Sequence, residues 1–177
     1  MKILITGAAG QIGSGLSRLL IENGHDLTLV DNLRNGYLEN LKDDANEVIA
    51  PFYEVDITSE DFFTECGGDY DVIIHLAAIT SLPDCESNPL ETLRINVSGT
   101  ANVLEFARKF DVPHVVFAST SAIYENNDTD VFTEDLEVNP RLYYSLSKKM
   151  SEELIHSYRE NYGMTVTILR FFNVFGP

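Results

Sequence analysis

Six short apolar segments alternate along the chain with longer segments of helical periodicity. The apolar segments are near-continuous in Val, Ile and Leu, which is typical of parallel strands covered on both faces of a sheet. They lie at 2–6, 26–30, 47–55, 71–76, 114–119 and 165–170. The helical patterns lie at 11–23, 59–65, 88–110 and 143–162. This alternation predicts an α/β fold with a doubly wound parallel sheet, strand order 3-2-1-4-5-6, and a ligand crevice at the carboxyl ends of the strands.

Length and charge exclude several classes of function. The 177 residues suit one domain with a full hydrophobic core. The formal net charge is −16 without clustered Lys or Arg, so neither nucleic acid nor a membrane surface is expected as a partner.

Two cysteines are too few for a disulfide framework or a zinc site, and no metal is expected. The chain begins with MKILITG, a strand that leads into a motif, so no leader is expected and the cytoplasm is the expected location.

The segment TGAAGQIG, residues 6–13, follows the first strand and begins the first helix. Its spacing places Gly7, Gly10 and Gly13 at a tight turn, where the backbone can approach a pyrophosphate because no Cβ intervenes. The amino end of the following helix offers free N–H groups and a positive dipole to the anion. The segment therefore predicts a dinucleotide site, and the alternative is a glycine-rich turn without a ligand.

An aspartate, Asp31, stands at the end of the second strand. A carboxylate at that place can bind both ribose hydroxyls of the adenosine half of a dinucleotide, and it repels a 2′-phosphate. NAD is therefore favoured over NADP as the cofactor. Arg34 lies nearby and keeps the choice of cofactor open.

A tyrosine and a lysine share one face of the last predicted helix. Tyr144 and Lys148 are four residues apart, whereas Tyr143 is five from Lys148 and about 140° away around the helix. An ammonium about 4 Å away favours the phenolate by roughly 4 kcal/mol at an effective dielectric near 20, or about three pKa units. We therefore expect a lowered pKa for Tyr144 and a base that takes a proton from an alcohol. The alternative is a solvated helix face.

The segment FASTSAIY, residues 117–124, carries several hydroxyl groups at the end of the fifth strand. One of these hydroxyls could hydrogen-bond a reacting oxygen and stabilise its developing charge. The alternative is a strand end whose Ser and Thr side chains bond their own backbone.

In this order along the whole chain, the motifs resemble those of the extended short-chain dehydrogenase/reductase family, in its nucleotide-sugar epimerase and dehydratase branch. The resemblance is carried by TGAAGQIG at 6–13, VDN at 30–32, VDI at 55–57, HLAA at 75–78, NVSGT at 96–100, STSAIY at 119–124, YSLSK at 144–148 and RFFNVFGP at 170–177. The set is specific for the family and much less specific for the substrate.

The resemblance implies a catalytic set of Thr120, Tyr144 as base and Lys148 as its partner. It implies cofactor contacts from Gly7, Gly10, Gln11, Ile12, Gly13, Asp31, Asn32, Asp56, Ile57, Leu76, Ala77, Ala78, Asn96, Ser119, Tyr144, Lys148 and Phe172. It implies substrate contacts from Thr80, Thr120, Ser121, Tyr144 and Asn173. Two of these residues have structural alternatives: Asp56 as the start of a turn, and Asn96 as a buried amide satisfied by backbone. His75 is expected to be a structural histidine at a strand end.

The resemblance further implies an enzyme that uses NAD to epimerise a nucleotide sugar, similar to the UDP-glucose 4-epimerases. Dehydratases of the branch carry an acid pair directly after the Thr, and decarboxylases tend to have Glu there. Here Ser121 and Ala122 follow Thr120, and neither can serve as an acid, which favours epimerisation. A related dehydratase or reductase remains the alternative reaction.

Family members are usually much longer, and their substrate-binding domain is built mainly from the carboxyl half. We therefore expect residues 1–177 to be an NAD-binding Rossmann domain from which the substrate domain is largely missing. Binding of NAD without turnover is the alternative function. The resemblance also implies a homodimer formed through the helices at 88–110 and 143–162.

Overall fold

A single parallel sheet organises the chain, as the sequence predicts. In this computed structural model, which describes residues 1–129 and 131–175, six strands pair in the order β3-β2-β1-β4-β5-β6. All five pairings are parallel. The strands are β1 (Lys2–Thr6), β2 (Asp26–Asp31), β3 (Phe52–Glu54), β4 (Val72–His75), β5 (His114–Thr120) and β6 (Thr165–Phe171). The order reverses between β1 and β4, where a doubly wound sheet opens its ligand crevice.

Helices cover both faces of this sheet. They are α1 (Gln11–Glu22), α2 (Asp61–Glu65), α3 (Leu82–Ser87), α4 (Pro89–Leu93), α5 (Gly99–Lys109) and α6 (Tyr143–Tyr162). The helix predicted over 88–110 is formed by α4 and α5, joined by a π-helical turn at Arg94–Ser98. Helix α3 was not predicted from the sequence, although the Ser81 side chain caps it by accepting the Asp84 N–H and a proline follows in its first turn.

Alternate residues of the strands build two separate cores. Ile3 and Ile5 of β1 pack on one face with Leu29 of β2 and with α1. Leu4 and Val30 pack on the other face with residues of α2, α5 and α6. This alternation follows from the two-residue period of a strand, and it explains why the strands are apolar on both faces.

The third strand is shorter than the sequence predicts. The apolar pattern over 47–55 predicts a long strand, but β3 spans only Phe52–Glu54. Pro51 directly precedes it and has no N–H to donate to a ladder. Val48 instead forms an isolated antiparallel bridge with Lys42. The prediction for 47–51 is therefore wrong.

A long connection links β5 to α6. A 3₁₀ turn at Ser121–Tyr124 follows β5, and the described part of 125–142 contains neither helix nor strand. Its two ends are tied together by Glu125, whose carboxylate accepts the backbone N–H groups of Arg141 and Leu142. Because Leu142 is the residue before α6, this contact fixes where the helix begins.

The turn between β1 and α1 depends on glycine for packing. Gly7 has φ +73°, and a Cβ there would lie 2.6 Å from the backbone nitrogen of Ala77. A Cβ on Gly13 would lie 2.3 Å from the Gly7 carbonyl oxygen. Both contacts are closer than real Cβ atoms allow, so these glycines let α1 and the end of β4 approach the turn.

Two glycines of α1 provide a test of this packing. We expect Gly13→Ala to lower the free energy of unfolding by at least about 2 kcal/mol, because the new Cβ overlaps backbone that cannot move aside. Gly15→Ala is the matched control: its Cβ meets nothing within 4 Å, so it should raise stability by about 0.5–1 kcal/mol. Urea unfolding measures both values. Equal effects of the two substitutions would contradict the packing argument.

Candidate functional site

A cleft of about 780 Å³ runs along the carboxyl edge of the sheet, across the point where the strand order reverses. The glycine turn after β1 and the ends of β2, β4, β5 and β6 all contribute to its lining. The expected site residues in it are Gly7, Gly10, Gln11, Ile12, Gly13, Asp31, Asn32, Asp56, Ile57, Leu76, Ala77, Ala78, Thr80, Ser119, Thr120, Ser121, Tyr144, Lys148, Phe172 and Asn173. The fold thus brings residues from seven of the eight motifs into one space; NVSGT, residues 96–100, contributes none.

The glycine turn fits a dinucleotide. A Cβ on Gly10 would approach no protein atom closer than 3.4 Å, so packing does not require glycine at this position of the cleft wall. Gly10 is also the N-cap of α1 and supplies no side chain to the first N–H groups of the helix. An open wall beside uncapped N–H groups is the arrangement that accepts a pyrophosphate.

Asp31 is buried at the end of β2 and held by two backbone donors. One carboxylate oxygen accepts the N–H of Ala9 at 3.0 Å, and the other accepts the N–H of Leu33 at 2.8 Å. Burial raises the pKa of Asp31, and these two hydrogen bonds oppose the rise. Each carboxylate oxygen keeps a further lone pair with which to accept a ribose hydroxyl.

Asp56 both begins a turn and lines the cleft. Its carboxylate accepts the backbone N–H of Thr58 at 2.8 Å and the hydroxyl of Thr58 at 2.7 Å, and it accepts the Asn32 amide at 3.2 Å. Burial would raise the pKa of Asp56, but the hydrogen bonds from Thr58 and Asn32 outweigh it and leave the pKa below its usual value. The turn therefore holds an ionised carboxylate at the cleft wall.

Tyr144 and Lys148 both face the cleft from α6, while Tyr143 is exposed outside it. Lys148 is 3% exposed, and its ammonium donates to the carbonyl oxygen of Ala118 at 2.7 Å. Burial lowers the pKa of Lys148 to about 8, and the Glu152 carboxylate opposes this shift. The Lys148 ammonium is therefore held by a backbone carbonyl at the end of β5, in addition to lying on the same helix face as the Tyr144 phenol.

The pKa of Tyr144 shifts in the direction opposite to that predicted from the sequence. Burial raises it, and a hydrogen bond with Thr120 is the main influence that lowers it. Lys148 does not lower it, because with a pKa of about 8 the lysine loses its charge before the phenol titrates. The expectation of a phenolate made acidic by Lys148 alone is therefore wrong for this structure.

Asn96 does not line the cleft and is corrected from a cofactor contact to a structural residue. It is 1% exposed, and its amide oxygen accepts the N–H of Ile79 at 2.8 Å. Its amide nitrogen donates to the Ile79 carbonyl at 2.9 Å and to the Ser147 hydroxyl at 2.9 Å. Every polar atom of the side chain is thus used to hold the segment after β4, which is the structural alternative stated above.

His75 is also a structural residue. It is fully buried, with Nδ1 2.7 Å from the Thr6 hydroxyl and Nε2 3.0 Å from the Thr100 hydroxyl. Burial lowers the pKa of His75 to about 3, so the ring is neutral at physiological pH. It joins the ends of β1 and β4 to α5.

Several residues that the sequence analysis did not single out also line the cleft. They include Val30, Asn35, Gly36, Val55, Ile79, Leu82, Ile95, Ala118, Ala122, Phe171 and Val174. Arg34, which the sequence indicates as a residue that bears on the choice of cofactor, lines the cleft as well. The Asn35-Gly36 dipeptide after β2 is a turn signal that could have identified part of this set. The others are apolar residues at strand ends, in the connections that follow them and on helical turns, where the pattern alone does not distinguish a core residue from a cleft wall.

The buried charge of Lys148 predicts a pH-dependent stability. Its folded-state pKa of about 8 lies below the ordinary 10.5, so the unfolded chain binds more protons between these values and stability rises with pH there. Relative to Lys148→Met, we expect the parent to gain about 3 kcal/mol of unfolding free energy from pH 7 to about 10.5.

Urea unfolding at a series of pH values measures this difference. Lys149→Met is the matched control, because Lys149 is partly exposed and paired with Glu153. It should leave the pH dependence of the parent unchanged. Parallel stability curves for the parent and Lys148→Met would contradict a depressed pKa at Lys148.

Within the described residues, no helix is both long and apolar enough to cross a membrane.

Comparison with known proteins identifies relatives over the whole chain. A putative UDP-glucose 4-epimerase of Methanocaldococcus jannaschii is 39% identical, over 98% of this chain and 56% of its own length. A UDP-N-acetyl-alpha-D-glucosaminuronate decarboxylase of Bacillus cytotoxicus is 35% identical, over 99% of this chain and 55% of its own length.

The solved structures that match this chain include proteins of the same kind as the sequence relatives. The structure of UDP-glucose 4-epimerase from Thermotoga maritima with UDP-glucose matches with a TM-score of 0.90 and 34% identity, over 100% of this chain and 57% of that one. The chain therefore spans little more than half the length of the relatives it matches. The family model described as the NAD dependent epimerase/dehydratase family matches residues 3–177. The chain therefore belongs to this family, whose cofactor, NAD, is the one expected from the sequence.

Proposed function

We propose that this protein epimerises a nucleotide sugar at its 4-hydroxyl with NAD as cofactor. The observation that carries the proposal is one cleft that joins the glycine turn and Asp31 to Thr120, Tyr144 and Lys148. A pyrophosphate cradle alone would fit any dinucleotide-binding protein. The tyrosine and lysine on α6 add groups that can move a proton on an alcohol.

The adenosine half of the cofactor would lie against the ends of β2 and β3. The N–H groups of α1 would bind the pyrophosphate, and Asp31 would accept hydrogen bonds from the ribose hydroxyls. Asp56 and Ile57 would border the adenine, while Leu76, Ala77 and Ala78 would line the middle of the cleft. When bound, NAD supplies a hydride acceptor and donor and brings the positive charge of its oxidised ring.

Proton transfer would fall to Tyr144. Its phenolate would take the proton of the sugar 4-hydroxyl as hydride leaves that carbon, and the resulting phenol would give the proton back as hydride returns to the other face of the same carbon. Thr120 already interacts with Tyr144 and would hydrogen-bond the reacting oxygen. Burial raises the pKa of Tyr144, so a working base requires added positive charge near the phenol once the cleft is filled.

The residues after Thr120 favour epimerisation over the other reactions of the family. Ser121 and Ala122 line the cleft at this point, and neither can donate or accept the proton that elimination of water requires. Reversible oxidation needs only the hydride carrier and one base. The decarboxylase among the relatives keeps a second reaction in consideration, but the side chains beside Thr120 do not favour it.

Substrate contacts are proposed at the end of the cleft near β6. Asn173 follows β6, and Thr80 and Ser121 add polar groups to the cleft lining. Phe172, expected beside the cofactor, presents a half-exposed aromatic ring there. We further propose that residues 1–177 form the nucleotide-binding part of the enzyme and that the enzyme is located in the cytoplasm. We also propose that it forms a homodimer through α4, α5 and α6, which correspond to the helices predicted at 88–110 and 143–162.

Binding of NAD without turnover is the second candidate function. The observation that favours it is the length of the match, which covers 55–57% of the relatives. The two candidates make the same prediction for NAD binding and different predictions for product formation.

Tyr144→Phe tests the proposed base. The purified chain is incubated with NAD and with UDP-glucose, UDP-galactose and their N-acetylated counterparts, and product sugars are identified by NMR. We expect a 4-epimer from at least one sugar, and a loss of at least about 10²-fold in kcat for Tyr144→Phe, because the proton can no longer be exchanged.

The neighbouring Tyr143→Phe is the matched control and should retain activity, because Tyr143 lies outside the cleft. Calorimetric titration with NAD accompanies each variant. Tight NAD binding with no product from any sugar would overturn the epimerase proposal for this chain and support the second candidate. Full activity in Tyr144→Phe would remove Tyr144 as the base.

A further inference from the structure

A guanidinium and a carboxylate meet at the adenosine end of the cleft. Arg34 lines this end together with Asp31 and Asn32. The turn after β2 directs it there: Leu33 has φ +55°, and the Arg34 N–H donates to the Asn32 side chain at 3.1 Å. Arginine near this position is the usual partner of a 2′-phosphate, because its fork of N–H groups matches phosphate geometry.

Glu91 occupies that guanidinium in this structure. Its carboxylate, on α4 and 57 residues away in sequence, lies 2.7 Å from the guanidinium of Arg34. Arg94 holds the same carboxylate through two contacts, of 2.8 Å and 3.1 Å. Glu91 is therefore fixed between two arginines, and one terminal nitrogen of the Arg34 guanidinium is already engaged by a carboxylate.

The charges at this end of the cleft favour a cofactor without a 2′-phosphate. Arg34 pairs with Glu91, and Arg94 pairs with Glu91 and lies 3.6 Å from Asp56. Asp31 lines the cleft together with Arg34, so three carboxylates accompany two guanidinium groups at this end. The local balance is negative although two arginines are present. Asp31 alone does not produce this balance, because an unpaired Arg34 would offset its charge.

We propose that Glu91 is a specificity-determining residue: by pairing with Arg34, it withholds the guanidinium from a 2′-phosphate and so excludes NADP. The inference rests on the proposed dinucleotide function and deepens it. Asp31 and Glu91 then select the cofactor in different ways. Asp31 favours a free ribose 2′-hydroxyl, and Glu91 disfavours a phosphate in the place of that hydroxyl.

The experiment measures binding of the adenosine half alone, without any reaction. ADP-ribose and 2′-phospho-ADP-ribose are titrated calorimetrically into the parent and into Glu91→Gln, which keeps the size of the side chain and removes its charge. We expect the ratio of the two dissociation constants to shift toward the phosphorylated ligand by roughly tenfold, or about 1.4 kcal/mol. The shift should shrink at high salt, because both residues are partly exposed.

Two further variants identify the cause. Glu105→Gln is the matched control: Glu105 also pairs with an arginine three residues on, Arg108, but Arg108 does not line the cleft, whereas Arg34, the partner of Glu91, does. It should not change the ratio. Adding Arg34→Ala to Glu91→Gln should cancel the gain, because the freed guanidinium is then gone.

A change below about twofold in Glu91→Gln, an equal change in Glu105→Gln, or a gain that survives Arg34→Ala would each overturn this proposal. If the parent binds ADP-ribose and Glu91→Gln shows no gain, only the role of Glu91 fails. A parent that does not bind ADP-ribose would overturn the proposed dinucleotide function together with this inference.

Discussion

The burial of charged groups on α6 determines the geometry of the whole site. Lys148 and Glu152 are one turn apart and almost fully buried, so each needs a polar partner. The Ala118 carbonyl of β5 accepts from Lys148, and Arg170 of β6 pairs with Glu152 at 2.8 Å. These partners fix the helix in both rotation and translation against the last two strands. Tyr144, one turn before Lys148, must then face the cleft.

This arrangement has an energetic cost that falls on the site itself. Desolvation lowers the pKa of Lys148 and raises that of Tyr144, because burial disfavours the charged form of each side chain relative to water. The Glu152–Arg170 pair stabilises less than its short distance suggests, because burial of each charge offsets much of their attraction. Its clearer effect is on position: Glu152 also accepts the Ser119 hydroxyl, directly beside Thr120. The Glu152–Arg170 pair thus contributes more to the position of the end of β5 than to the stability of the fold.

Sequence reasoning succeeded where the information is local and periodic. The strand order, the glycine turn and the choice of Tyr144 over Tyr143 all follow from spacing, and the structure has the same arrangement. It failed where a polar group chooses among distant partners. The amide of Asn96, which the resemblance placed at the cofactor, bonds Ile79, and the ammonium of Lys148, which spacing placed beside the phenol, bonds a backbone carbonyl. Periodicity indicates which face a residue occupies, but it does not indicate which acceptor on that face has the best geometry.

The π-helical turn at Arg94–Ser98 links the two ends of the cleft. In this turn the Asn96 carbonyl accepts the hydroxyls of Thr100, at 2.6 Å, and of Ser151 on α6, at 2.9 Å. The same turn begins with Arg94, which reaches Glu91 and Asp56 at the adenosine end. A π turn rotates the residues around it relative to a regular α-helix, so it lets one helix serve both contacts. Cofactor selection and the placement of α6 therefore depend on a common backbone feature, and the two ends of the cleft are not structurally independent.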